Sequence, residues 1–330
     1  MRAVVSAAVM AMVVGGCGDD RDQDLPILRR PVVPARLRAI GPVDELPADA
    51  RRAFDPGPDF RPRPTPAPGD WLAQHKERGQ TFDAYARAGA NRPDAARHVL
   101  YLQPLGELST DAPPLDDLVA VVHAFFQLEV RVLPAIDVAA AGATERINRH
   151  THRPQLLTTD LLRFLAGRVP TDAYALMAVT MVDLYPADDW NFVYGQATFV
   201  DRVGVQSFAR YDPAFLGDAR PADWQRTLAR RAAQVLVHEI THMFGVAHCV
   251  YWDCVIAGVN HQAEADAHPL HLCPVDLRKL WWAVGFDLAR REDELAAAWH
   301  RLGQDDEAAW STRRAAWIRG DVTPAAGHAP

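Results

Sequence analysis

The sequence predicts an α/β (α+β) domain, and three observations predict it. Stretches of strand and helix character alternate through the middle of the chain. Residues 173–184 are apolar without alternation, the pattern of a strand covered on both faces. Residues 223–244 keep a helical period over a length that strands do not reach.

Each element follows from local chemistry. Residues 99–105 read as a first strand. Residues 114–126 place Leu115, Leu118, Val121 and Val122 at helical spacing, and 130–136 form a second strand. Thr158, Thr159 and Asp160 offer capping groups for a helix to about residue 169. Beyond the buried strand, residues 191–198 and 203–211 read as two more strands joined by a turn around Asp201. Residues 287–318 suit two amphipathic helices, with Leu295, Trp299, Leu302, Trp310 and Trp317 as buried contacts.

The ends differ in character. Arg2, the apolar run 3–14 and Gly15-Gly16-Cys17 look like a bacterial lipoprotein signal, with Cys17 as the lipidated residue. That run is too short to span a membrane comfortably. Residues 1–17 are therefore expected to export the protein and anchor it by lipid to a bacterial membrane, on its periplasmic or surface face. Residues 18–66 read as a tether. Eleven prolines fall from Pro26 to Pro68 with no apolar period, and such a stretch buries too little surface to offset its ordering entropy. The main domain then occupies 67–303, and 304–330 forms a C-terminal helix and tail.

Apolar residues make up 49% of the 330 and charged ones 23%, ordinary for one large globular domain. Thirty-five basic against 42 acidic residues leave a net charge of −7, which argues against a nucleic-acid partner. A monomer is the default expectation.

The chemistry sits in residues 238–248, His-Glu-Ile-Thr-His-Met-Phe-Gly-Val-Ala-His. On a helix His238 and His242 share one face and can grip one ion. Glu239 lies about 100° further round the same turn, within reach of a water on that ion. Gly245 can take positive φ and end the helix, so that the chain returns with His248 as a third ligand. Five fixed positions at this spacing arise by accident in roughly one chain in 10⁴ of this length. Three imidazoles leave a fourth position open, as catalytic zinc requires.

The flanking motifs narrow this further. They are Pro68-Gly69-Asp70-Trp71-Leu72, Asp183-Leu184-Tyr185-Pro186, Trp190-Asn191-Phe192-Val193-Tyr194-Gly195-Gln196-Ala197, Ser207-Phe208-Ala209-Arg210-Tyr211 and, after Cys249 and Cys254, Leu272-Cys273-Pro274. From about residue 68 to 286 the chain resembles the archaemetzincin family of zinc metallopeptidases. The resemblance implies a metzincin-like zincin domain: a twisted mixed sheet, an active-site helix beneath it and a small C-terminal subdomain. It implies a catalytic zinc on His238, His242 and His248, with Glu239 as general base for hydrolysis of a peptide or protein substrate. It also implies a substrate rim along Phe192, Val193, Tyr194, Gly195, Gln196 and Ala197, where an extended peptide would pair backbone to backbone.

The chain departs from the family pattern twice. The family has a methionine in the turn below the catalytic zinc, and here Ile256 stands there, apolar but stiffer. The family holds a second, structural zinc on four cysteines, whereas this chain offers Cys249, Cys254, Cys273 and Asp276. Aspartate is a legitimate but harder zinc ligand, so a second zinc competes with a disulfide among the three thiols. These departures motivate a rival reading: a catalytically weak or inactive zinc-binding scaffold of peptidase ancestry. Against it, every residue that hydrolysis needs is present. Amidase or deacetylase chemistry would use the same water and base. Of the other histidines, His261 either supports a metal ligand, faces substrate, or is a surface or packed residue, and His268 and His271 read as surface positions.

Overall fold

The computed structural model describes residues 33–89 and 91–321. Cys17 and the apolar run before it lie outside those residues. Among the described residues, no helix is long and apolar enough to cross a membrane.

From Val33 onward the stretch expected to be a tether is folded. Helices α1 (Val33–Ile40) and α2 (Ala48–Phe54) place Ala39, Ile40, Ala50, Ala53 and Phe54 in the main hydrophobic core, and Phe60 follows them. The prolines punctuate these helices instead of preventing them. Pro47 stands at the N-cap of α2, where its fixed φ and missing N–H cost nothing, and Ala50, Ala53 and Phe54 share one helical face. The segment continues through two short helices, α3 (Trp71–Gln74) and α4 (Phe82–Arg87).

The sheet then builds from β1 (Val99–Leu105), α5 (Leu115–Phe126), β2 (Glu129–Val132), β3 (Glu145–Ile147), β4 (Pro154–Leu157), α6 (Thr158–Ala166), β5 (Ala173–Thr180), β6 (Asp183–Tyr185), β7 (Gly195–Ala197) and β8 (Val203–Ser207). The main sheet runs β2-β1-β5-β8-β7, parallel except for β7, and β5 is buried at every position as its unbroken apolar run predicts. The expected strand 173–184 breaks after Thr180. Its last part, β6, joins a second sheet, β3-β4-β6. The buried Asp183 carboxylate there accepts from Arg210 Nε and Nη2 at 2.7 and 2.6 Å.

Two local expectations are corrected. Thr158 lies inside α6 and does not cap it; its hydroxyl donates instead to Gln196 Oε1. The expected rim is two pieces. Val193 donates to Leu184 O at 3.0 Å, and Phe192 is buried beneath the Arg210 guanidinium, 3.7 Å from its ring centre. Only Gly195, Gln196 and Ala197 remain in an edge strand, because the chain spends its preceding residues crossing from one sheet to the other.

The long helix α7 (Trp224–Met243) packs against β7 and β8, and Leu236, Val237, Ile240 and Met243 are its fully buried apolar face. Beyond it the chain is helical: α8 (Gln262–Ala267), α9 (Pro274–Val284), α10 (Leu288–Arg301) and α11 (Asp305–Arg319). Helix α11 packs on both α10 and α2, and Arg314 Nη2 donates to the carbonyls of Arg52, Ala53 and Asp55 at the end of α2. The boundaries expected at 66/67 and 303/304 therefore cut through one packed core.

Candidate metal centre

His238 and His242 project from successive turns of α7, and their Nε2 atoms stand 2.8 Å apart. The helix ends at Phe244. Gly245, with φ +82°, makes the left-handed turn that a side chain would strain, and its N–H donates to His242 O at 2.8 Å. The last carbonyls are not left bare. Tyr174 OH donates to Met243 O at 3.1 Å and Tyr85 OH to Phe244 O at 2.8 Å. Past the glycine the chain turns back, and the ligand nitrogens of His238, His242 and His248 lie within 4.8 Å of one another.

Each imidazole is oriented through its other nitrogen. His238 Nδ1 meets Val255 O at 2.8 Å, His242 Nδ1 meets Val246 O at 2.6 Å, and His248 Nδ1 meets Glu77 Oε1 at 2.7 Å. All three partners are acceptors, so each Nδ1 carries the proton and each Nε2 keeps its lone pair. Burial, and then the neighbouring imidazoles, hold His238 far below the usual histidine range and His242 at about 3. Facing lone pairs 2.8 Å apart repel unless a cation lies among them.

Three buried atoms here lack any hydrogen-bond partner, His248 Nε2, Glu239 Oε1 and the outer oxygen of Glu77, Oε2. A zinc ion fits this donor set, and it would give the His248 nitrogen its missing partner. Burial raises the Glu239 carboxyl to about 8. β7 runs beside this carboxylate: a methyl group on Gly195 would stand 3.1 Å from Glu239 Cγ and Oε1. Thr198 N donates to Val203 O and Ser207 N to Tyr194 O, which sets the alternation of the ladder. Gly195 and Ala197, paired with Gln206 and Gly204, thus turn their peptide groups to the outer edge.

A second cluster begins at the next residue. Cys249, Cys254, Cys273 and Asp276 are all buried, with ligand atoms within 4.8 Å of one another. Cys249 and Cys273 are 3.5 Å apart as free thiols, and Asp276 Oδ2 accepts from Cys254 and Cys273 at 3.4 and 3.2 Å. The other oxygen, Oδ1, accepts from the buried Lys279 ammonium at 2.8 Å. Burial pushes the Cys254 and Cys273 thiols up. It opposes ionisation of Cys249 too, but the close contacts with the other two sulfurs and the Lys279 charge outweigh it and hold that thiol below its usual range. Asp276 is raised to about 6 by burial and by Cys249, against the pull of Lys279. The two clusters share one loop, in which Cys249 N donates to Ile256 O at 2.8 Å and Val255 O receives His238. Ile256 itself is fully buried in that turn.

His268 and His271 are not surface residues. His268 bonds Asp253 at 2.6 Å and Arg63 at 2.8 Å, and His271 stacks on Trp310 at 3.7 Å. Both are covered by residues 60–63 and α11, which the sequence reading left outside the domain. His261 caps α8, accepting from Glu264 N at 3.1 Å, and its other nitrogen meets Asp70. Sequence reasoning missed Glu77. It sits between Lys76 and Arg78 with no local signal of a role, and it meets His248 only through a contact 171 positions apart.

A family model described as "Peptidase family M54" matches residues 155–281. Archaemetzincin-2 of Pongo abelii is 35% identical over 268 residues, covering 72% of this chain and 74% of that protein. Archaemetzincin-2 of Homo sapiens is 34% identical with the same coverage. Among solved structures, an archaemetzincin from Methanopyrus kandleri aligns at 24% identity and a TM-score of 0.41, over 57% of this chain and 96% of that one. Shared sequence over more than two thirds of both chains places this protein in the archaemetzincins, peptidase family M54: it is a zinc metallopeptidase.

Proposed function

We propose that His238, His242 and His248 hold the catalytic zinc and that Glu239 is the general base for peptide-bond hydrolysis. One observation carries this reading. Three buried imidazoles, each tied at Nδ1 to an acceptor, turn their free nitrogens together beside an unpartnered carboxylate oxygen. Zinc bound there would supply Lewis acidity, polarising a carbonyl and lowering the pKa of water toward about 7. The protein's part is to position and to move protons. Glu239 takes a proton from the attacking water and delivers it to the leaving amine. The outward peptide groups of Gly195 and Ala197 pair with an extended substrate, which lays its scissile bond along the strand that passes Glu239. The cluster of Cys249, Cys254, Cys273 and Asp276 holds a second, structural zinc. Cys17 carries the lipid that anchors the protein at the membrane.

The test is Glu239→Gln, read by elemental analysis and by cleavage of a mixed peptide library. The variant should keep the zinc content of the wild type and lose cleavage by at least about 10²-fold. Undiminished turnover in the variant, or wild-type cleavage that survives a zinc chelator, would remove this reading. Zinc per molecule in reductant should be two, falling to one in Cys249→Ser.

A further inference from the structure

We propose that Glu77 is the positioning residue for the third zinc ligand, and that its carboxylate is a determinant of metal retention. This rests on the reading of His238, His242 and His248 as the catalytic zinc site. The three imidazoles are not held alike. His238 and His242 lean on backbone carbonyls at 2.8 and 2.6 Å, while their own positions are set by a packed helix. His248 lies past the end of that helix, and a side chain holds it: Glu77 Oε1 at 2.7 Å.

Glu77 is itself fixed. Trp71 Nε1 donates to the same oxygen at 2.9 Å, and the Trp71 ring stands edge-on to His248 with centroids 5.2 Å apart. Gly258 leaves the room for this: a Cβ there would lie 2.5 Å from Trp71 Cδ1 and 2.9 Å from His248 Nδ1. The same segment grips the rest of the ligand loop. Gln80 Nε2 donates to Gly245 O at 3.0 Å, its Oε1 accepts from Ala247 N at 3.2 Å, and Tyr85 holds Phe244 O. The loop that must carry His248 back toward α7 is thus clamped by a segment outside the span of the family match.

A carboxylate behind a metal-bound imidazole fixes ring and tautomer and raises the basicity of the ligating nitrogen. Losing such a partner typically lowers metal affinity 10- to 100-fold. A backbone carbonyl fixes the tautomer with less charge. The third ligand is therefore the one whose strength a side-chain substitution can tune.

The experiment is competition for zinc between the protein and a chromophoric chelator, with the full chain in reductant. The variants are Glu77→Ala, Glu77→Gln and Thr81→Ala, with His238→Ala defining the zinc that belongs to the histidines. Glu77→Ala should weaken that zinc 10- to 100-fold, and Glu77→Gln, which keeps an acceptor and loses the charge, should fall between it and wild type. Thr81→Ala loosens the same segment by removing the cap of α4, where Thr81 Oγ1 accepts from Ala84 N at 3.1 Å, and should leave zinc affinity within twofold. Equal losses in Glu77→Ala and Thr81→Ala, or wild-type affinity in both Glu77 variants, would overturn the proposal. If wild type held no more zinc than His238→Ala, the histidine site itself would be refuted instead.

Discussion

Gly195 and Glu239 are packed so closely that one added methyl group would fall 3.1 Å from both Cγ and Oε1 of the glutamate, and 3.2 Å from Val235 Cγ1. The strand edge proposed for substrate and the proposed base are therefore set against each other without slack. Gly195→Ala should push the carboxylate or the strand aside by a few tenths of an ångström. Misplacement on that scale is expressed in turnover, so kcat should fall roughly 10- to 100-fold while zinc content stays unchanged. Steady-state kinetics with elemental analysis reads this. An alanine variant with wild-type kcat would mean that the edge and the glutamate are not coupled in the reaction.

The N-terminal helices are part of the core, and removing their contacts should be expensive. Phe54 is 1% exposed, with its ring centre 5.4 Å from that of Trp281 on α9. Phe54→Ala should cost about 3 to 5 kcal/mol, as for other buried aromatics cut to alanine. Chemical denaturation checks it. A loss below about 1 kcal/mol would restore the reading of residues 18–66 as a tether.

Metal removal should expose two opposed titrations. Burial raises the Glu239 carboxyl from 4.5 to about 8, so between those values the folded, zinc-free protein binds a proton that the unfolded chain does not. Its stability then falls as pH rises, by up to about 1.4 kcal/mol per pH unit. Burial, with the neighbouring His248 imidazole, lowers His242 from 6.5 to about 3, and His238 moves the same way. Between 3 and 6.5 the unfolded chain takes the extra protons, and stability falls as pH drops. These groups alone place the maximum for the chelator-stripped protein near pH 6.5; the lowered Cys249 thiol adds stability as pH rises, so the effect is read as a difference, and Glu239→Gln should lose the decline that Glu239 contributes between pH 6.5 and 8. Melting temperatures of both proteins from pH 4 to 9 test this. Parallel profiles between pH 6.5 and 8 would show that Glu239 does not carry the effect.

What the sequence made legible was local. His238, His242 and His248 were readable because helical periodicity and one glycine suffice to bring them together, and β5 because burial on both faces leaves an unbroken apolar run. Glu77 was not readable, since its partner lies 171 positions away and nothing beside it marks a carboxylate that holds a histidine. The prolines of residues 33–66 hid two helices because proline at a helix start looks in sequence like proline in a linker. His268 and His271 were misplaced as a consequence, the residues that cover them having been assigned outside the domain. The length of the rim failed for another reason: period-2 patterning does not record that Val193 changes sheets.

The last prediction concerns the departure at Asp276. Lys279 is 1% exposed and Asp276 is fully buried, and their charged groups meet at 2.8 Å one helical turn apart. An ammonium is taken out of water only where a carboxylate offsets the loss, and here it occupies the oxygen that does not face the thiols. Lys279→Met in the zinc-free protein leaves that carboxylate buried without its counter-charge and should cost about 3 to 5 kcal/mol. Replacing both residues, Asp276→Leu with Lys279→Met, removes the two charges together and should recover most of the loss. Urea unfolding of the three variants in reductant gives the coupling directly. If the single and double changes were equally destabilising, Lys279 would be held by its aliphatic stem and not by Asp276. A recovery in the double variant would instead identify the lysine as the feature that lets an aspartate stand among three cysteines.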